Sequence, residues 1–358
     1  MKKFYIVFLF SIVSTGAFAQ ASSCAQSLRL AQSVYDQGRL HELEDLITKA
    51  LGSQTAPCSQ AEQVSLLKLL TLTYIYLEEP EDADATMLKL LQTDNYFKIN
   101  PAIDPAEFVA LYNTFRTHEI YRLGAVLGVN AARPNVTNTI TAIELAEGSK
   151  YSYAIAILFG ASADVPLDRK DKLTLHGELL YNQKKFNLEL ITDRSLTGDG
   201  SITNQFQGAE TQNWISLPLS IEYKLIDKAD KKFYPFVSGG VVVDYLLNSK
   251  ITSEVLRTNT TSIQEATFEL NPQRVKTNIS VQAAAGAKFQ MGGGYFIARV
   301  WYTHGLTNVN SLETSYANEQ ATWGQGYADP VYKVSSLSVS GSYVINMFNP
   351  KKRTIKAK

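Results

Sequence analysis

The sequence is poor in charge, cysteine and histidine. Only 19% of its 358 residues are charged, and Lys+Arg and Asp+Glu are equal at 34 each. With no net field to attract a phosphate backbone, nucleic acid is excluded as a partner. Two cysteines cannot form a four-thiolate metal cluster. The chain has no Gly-x-Ser-x-Gly, no His-Glu-x-x-His and no phosphate-binding loop. Neither a cofactor nor an enzymatic role is therefore expected. Beyond the first segment no apolar run is long enough for a membrane-spanning helix. The longest candidate, residues 66–77, is broken by Lys68 and several Thr and Tyr. A chain with 19 Tyr, 16 Phe and 3 Trp is not globally disordered either, because so many rings would not stay in water. If the mature protein meets a membrane, it must cross as a closed barrel.

The first residues read as an export signal. Met1-Lys2-Lys3 is basic, residues 4–13 are apolar apart from Ser11, and Ala17-Phe18-Ala19 fits a small-x-small cleavage site. Residues 1–19 are set aside on that ground. Cys24 follows closely, but Ala21-Ser22-Ser23 lacks the large aliphatic residue of a lipoprotein signal. Export to an oxidising compartment favours a Cys24–Cys58 disulfide, with two buried free thiols as the alternative. Closing that loop would contribute roughly 3–4 kcal/mol.

Residues 20–118 read as helices. They carry 7 basic and 13 acidic groups, net −6, whereas residues 119–358 carry 25 and 21, net +4, with Lys351-Lys352-Arg353 in the tail. Leu40, Leu43, Leu46, Ile47 and Leu51 recur at helical spacing. Ser59-Gln60-Ala61-Glu62 is a capping box opening a helix to about Leu77. Glu78-Glu79-Pro80 ends it. A further helix over residues 81–91 puts Ala85, Leu88 and Leu91 on one stripe. Asp104-Pro105-Ala106-Glu107 predicts a last helix, capped by Asp104 and reaching about Arg116.

From residue 119 to 349 the hydrophobic period changes to two. In residues 214–225, Ile215, Leu217, Leu219, Ile221, Tyr223 and Leu225 share one face, and Ser216, Pro218, Ser220, Glu222 and Lys224 the other. Residues 275–289 and 331–348 alternate in the same way. Further segments start near Tyr121, Tyr151, Leu173, Phe233 and Tyr295, giving eight strands. Their connections alternate in length. Residues 132–150, 191–211, 248–273 and 307–330 are long loops. Residues 167–172, 227–232 and 290–294 are short turns, the last containing Gly292-Gly293-Gly294, whose run is explained by positive φ. Sorting long loops to one side and short turns to the other is the asymmetry of an outer-membrane barrel. Tyr121, Tyr151, Tyr153, Trp214, Tyr223, Phe233, Tyr295, Trp301, Tyr343 and Phe348 sit near strand ends and are expected in the aromatic girdles at the membrane interfaces.

The run from Trp214 to Tyr223 (WISLPLSIEY), with Tyr234-Pro235-Phe236-Val237-Ser238-Gly239-Gly240-Val241, resembles the outer-membrane β-barrel domain of the PorT-like and OmpA-like porin families. Asn100-Pro101-Ala102-Ile103-Asp104-Pro105 resembles a periplasmic extension ahead of such barrels. Tyr35-Asp36-Gln37-Gly38 and Tyr76-Leu77-Glu78-Glu79, each followed by small and aliphatic residues, are similar to tetratricopeptide helix pairs, though 41 residues apart. A plain helical bundle fits them equally well.

The expected architecture is thus an α+β, two-domain chain. A periplasmic helical or tetratricopeptide-like domain, 20–118, precedes an eight-stranded antiparallel transmembrane barrel, 119–349, and a basic tail, 350–358. The inward set includes Arg122, His176, Glu178, Glu222, Lys224, Asp244, Lys276, Lys288 and Arg299. Eight strands leave room only for side chains, so these mixed charges should pair and fill the lumen. His304, with Ser311 and Glu313, is the only approach to a catalytic group, and an interfacial girdle histidine explains it better. The expected role is a structural or binding component of the cell envelope, with outer-membrane lipid around the barrel and a periplasmic or envelope protein on residues 20–118. The family resemblance loosely implies an accessory of a secretion or motility assembly. A small channel is the alternative, and a lipid-modifying enzyme a weaker third.

Overall fold

In the computed structural model the described residues are 23–53, 57–139, 150–168, 171–195, 201–226, 232–257, 260–324 and 327–353. The segment read as an export signal lies outside them. The chain forms two compact units, one holding the residues up to His118 together with those from Asn349, the other Glu119–Phe348.

The first unit contains α1 (Ser23–Asp36), α2 (Leu43–Leu51), α3 (Gln60–Tyr76), α4 (Pro80–Thr93) and α5 (Ala106–Thr114). Helix α3 opens on the Ser59 capping box, with the Ser59 N–H donating to Glu62 Oε2 at 2.8 Å. Its stretch from Leu66 to Tyr74 is buried except for Lys68, because the other helices pack around it. Leu66, Leu69, Leu70 and Tyr74 share a core with Ala31, Val34, Leu43, Ile47 and Ala83. Leu67 and Leu72 share a second with Met87, Leu90, Phe108 and Tyr112. Cys24 and Cys58 are bonded, their Cα atoms 5.3 Å apart, which ties α1 to the entry of α3. Glu78 takes positive φ where α3 turns into α4.

Two expectations for this unit are corrected. The buried face of α4 is Ala83, Met87, Leu90 and Leu91, with Ala85 exposed. Asp104 does not cap α5. It accepts the Asn100 N–H at 2.7 Å and pairs with Lys68 at 2.5 Å, pinning the preceding loop to α3. The first residues of the tail belong here as well. Phe115 and Lys352 form an antiparallel bridge, Arg353 N–H donates to Thr114, and Lys352 pairs with Asp84.

The second unit has nine strands: β1 (Tyr121–Asn138), β2 (Lys150–Pro166), β3 (Leu173–Ser195), β4 (Ser201–Lys224), β5 (Phe233–Arg257), β6 (Thr260–Glu269), β7 (Thr277–Met291), β8 (Gly294–Gly305) and β9 (Val331–Met347). All pairings are antiparallel. Eight strands close a ring in the order β1-β2-β3-β4-β5-β7-β8-β9, with β9 returning to β1. Among the described residues the ninth, β6, pairs only with Lys250–Arg257 of β5. The β2–β3 turn is held by Asp168, whose carboxylate accepts the Lys172 and Leu173 N–H groups at 2.7 and 2.8 Å. Gly292 turns β7 into β8 at φ +56°. Among the described residues no helix is long and apolar enough to cross a membrane, which says nothing of the strands.

The long connections are the main difference from expectation. Residues 191–211 and 248–273 are mostly strand, so β3, β4 and β5 run 23, 24 and 25 residues, well over the nine to eleven a bilayer needs. The polarity of their two faces reverses along their length. On β4, Leu217, Leu219, Ile221 and Tyr223 point outward over a polar interior. Beyond Asn213 the outward residues are Thr211, Gln207 and Gln205, and the inward ones include Phe206. On β5 the outward run Val241, Val243, Tyr245 and Leu247 gives way to Lys250, Thr252 and Glu254, while Ile251 and Val255 turn inward. The lower part is apolar-out and polar-in, as lipid demands. The upper part is polar-out and apolar-in, as water demands.

Candidate functional site: the closed polar lumen

The interior of the ring is read most easily along β4. Its inward residues Glu222, Ser216 and Glu210 are six positions apart, about 20 Å per step at the strand rise. Each marks a layer of buried charge.

The layer nearest the short turns gathers Asp164 of β2, His176 and Glu178 of β3, Glu222 of β4, Lys288 of β7 and Arg299 of β8, all buried. His176 Nδ1 is 2.5 Å from Asp164, and its Nε2 is 3.1 Å from Glu178. Lys288 pairs with Glu222 at 2.5 Å and lies 3.7 Å from Asp164. Arg299 donates to Glu178 at 2.7 Å and stacks over Trp301. At the end of the lumen, Arg122 reaches Glu119 at 2.6 Å and Asp171 at 2.7 Å, and Lys224 lies 3.5 Å from Asp171. Asp164, His176 and Glu222 could each offer one atom to a metal ion. The Lys288 ammonium already supplies positive charge to two of them, so the chemistry of the set is that of an ion-pair network.

The middle layer is smaller. Lys184 pairs with Asp244 at 2.7 Å, Ser216 donates to Asp244, and Asn182 donates to Ser216 at 3.2 Å. The Lys184 ammonium also lies over the Trp214 ring.

The third layer lies where the strands pass beyond the apolar belt. Arg274 donates to both oxygens of Glu210 at 2.9 Å and pairs with Asp329, all three side chains being fully buried. Glu210 also accepts from Gln212 at 2.7 Å, Ser249 at 2.9 Å and Tyr332 at 2.9 Å. Asp329 accepts from Asn310 and from Tyr327, at 3.1 and 3.0 Å. The connection between β8 and β9 thereby folds over the lumen. Around this knot is an apolar core of Phe186, Leu188, Phe206, Leu246, Ile251, Phe268 and Tyr332. Every donor and acceptor pair named here is enclosed, so the layer is a buried, mutually satisfied polar network.

Of the residues expected inside, Arg122, His176, Glu178, Glu222, Asp244, Lys288 and Arg299 are buried there, and Lys224 is half-buried. Lys276 is corrected. It precedes β7, where the strand alternation no longer applies, and it is exposed, while Arg274 takes the inward place. Among the expected girdle residues, Tyr121, Tyr153, Tyr223, Phe233 and Tyr343 are exposed on the outer face. Phe348 follows β9 and is half-buried. Trp214, Trp301, Tyr295 and Tyr151 are corrected, for all four turn inward. Trp214 is in step with Ser216, and Tyr295 and Trp301 with Arg299. Tyr151 precedes a register shift between Ala154 and Leu158 and packs on the upper core. His304 faces outward, 3.2 Å from Ser335 Oγ. Ser311 begins a short 3₁₀ turn beside Thr314. Asp164, Lys184, Glu210, Arg274 and Asp329 were missed. The step of Glu210 and Gln212 with Trp214 was the available signal for the third layer.

A family model described as the outer membrane protein beta-barrel domain matches residues 117–311. No curated protein matches the chain. Among solved structures it is similar to neisserial surface protein A, at 10% identity over 63% of this chain and 97% of that one, TM-score 0.30. It is also similar to OprG from Pseudomonas aeruginosa, at 14% identity, 64% and 95%, TM-score 0.27. A third is the attachment invasion locus protein Ail of Yersinia pestis, at 10% identity, 64% and 99%, TM-score 0.24.

Proposed function

Since the chain belongs to the outer membrane protein beta-barrel domain family, we propose that it is a non-conducting envelope component that works by binding, not by transport or catalysis. The observation that carries this reading is the fully buried Glu210–Arg274–Asp329 knot across the lumen. With the two ionic layers beneath it, the knot leaves no continuous aqueous path to sustain a current. Buried, hydrogen-bonded charge pairs are costly to separate, which favours a standing seal over a gate. In this reading the barrel anchors the helical unit on the periplasmic side. The net −6 of residues 20–118 and their paired helices offer a tetratricopeptide-like platform to a protein partner of a secretion or motility assembly. The runs 214–223 and 234–241 support a PorT-like or OmpA-like barrel.

Planar-bilayer recording tests the reading. The purified full chain should insert without sustained single-channel current. Steady conductance at moderate voltage would overturn it in favour of a channel.

A further inference from the structure

We infer that the outer surface of β2, β1, β9 and β8, just past the apolar belt on the long-connection side, is a docking surface for the phosphate headgroup of an anionic lipid. The inference rests on the barrel crossing the membrane and not on its lumen being closed.

The four strands are joined in register at this level. Arg133 of β1 is paired with Ser335 of β9, and Ser335 with His304 of β8. Asn135 is paired with Lys333. On the other side, the Arg133 guanidinium lies over the Tyr153 ring of β2, 5.7 Å from its centroid. Immediately below on the same faces are Val129, Ile155, Leu337 and Tyr302, each at least 44% exposed and apolar or aromatic. The basic residues therefore begin where hydrocarbon contact ends.

Charge supplies the complementarity. Residues 129–138, 150–157, 300–306 and 331–339 contain no Asp or Glu, yet carry Arg133, Lys150, His304 and Lys333. Lys150 is engaged by Glu189 of β3 at 3.1 Å. Arg133 and His304 are exposed and Lys333 is half-buried. Elsewhere around the ring the same height is mixed or neutral, with Gln205 and Gln207 on β4 and Lys250 paired to Glu269 beside Glu254. Among the described residues one arc of the circumference thus carries cations without carboxylates, and Lys185 of β3, paired with Ala154, stands at its edge.

The local hydrogen bonds suit a phosphate. Asn135 Nδ2 donates to Ser335 Oγ at 2.6 Å, and Ser335 Oγ is 3.2 Å from His304 Nδ1. This polar cluster stands at the foot of the basic residues. Arg133 presents a planar fork that takes phosphate oxygens two at a time. Tyr153 and Tyr302 supply the aromatic edges that sit at headgroup level. Acyl chains would lie along Val129, Ile155 and Leu337 directly below.

Native mass spectrometry of the full chain, released from mixed micelles containing phosphatidylglycerol or phosphatidylcholine, tests the surface. Selective retention of phosphatidylglycerol is expected. Each basic residue near a lipid surface is worth about a fivefold change in binding, so the double variant Arg133→Ala, Lys333→Ala should retain it roughly twenty- to thirty-fold less well. Lys232→Ala with Lys250→Ala, equal in charge removed and placed just before and on β5, away from this arc, should behave as the unaltered protein. Inorganic phosphate at millimolar concentration should not displace the lipid. Equal loss in both double variants, no loss in the first, or displacement by free phosphate would overturn the proposal. Heat-dependent electrophoretic mobility checks that each variant remains a closed barrel.

Discussion

Arg274 is the residue on which the upper lumen depends. Its guanidinium faces two carboxylates, and neither Glu210 nor Asp329 has access to water. Arg274→Met would leave both carboxylates buried without their counter-charge, a change that costs on the order of 3–5 kcal/mol. Urea unfolding in detergent should show the loss as a lower midpoint. An unchanged midpoint would mean that the layer is hydrated. Asp104 gives the first unit a pH dependence of known sign. Burial pushes its carboxyl up, but the Lys68 ammonium and the Asn100 N–H outweigh that, and it sits below the usual carboxylate range. A carboxyl lowered in the folded state adds stability above its unfolded pKa, about 3.9, and that stability is lost as pH falls through the lower folded value. Circular-dichroism melting of the helical signal should find Asp104→Asn weaker at pH 7 by on the order of 1 kcal/mol. The gap should close as pH falls through the lowered folded value. A gap that persists unchanged at pH 2 would refute this account.

At the scale of the element, the reversal along β4 separates two environments on one strand. Leu219 and Gln207 both point outward, twelve positions apart. Leu219→Arg should cost about 2–4 kcal/mol, because it sets a charge in hydrocarbon. Gln207→Arg should stay within about 0.5 kcal/mol, because that face is wet. Folding titrations of the two variants into lipid vesicles measure the contrast, and equal costs would show that the belt does not end at Asn213. The same reversal explains what the sequence concealed. Alternation was legible wherever Ser or charge faced Leu, Ile or Val, as in residues 214–225 and 331–348. In residues 205–211 the outward face is Gln205, Gln207, Ala209 and Thr211, and the inward face mixes Phe206 and Gly208 with Glu210, so no apolar face repeats and the period fades although the ladder continues. Aromatics near strand ends suggest a girdle, and that expectation turns Trp214 and Trp301 outward. Their parity with Ser216 and Arg299 was the better guide.

At the scale of the whole chain, the ring of eight strands was legible because closure follows from an even count and sorted turns. The partners across the lumen were less so. Asp164 and His176 face each other through register, but Arg299 and Glu178 meet across the interior, and no spacing along the chain encodes that meeting. Nor did the sequence suggest that the tail completes the first unit. Asn349–Arg353 lie beside Phe115 and Arg116, with the Arg116 guanidinium donating to the Asn349 carbonyl at 2.8 Å. That placement makes the helical unit discontinuous, its two pieces separated by the entire barrel. In chain order α1 to α5 precede the barrel and the strap at Lys352 follows it. The two helical cores are built entirely from residues 24–115, so α1 to α5 can pack as soon as they are made, and the Lys352 strap closes afterwards as a clasp on an interior already complete.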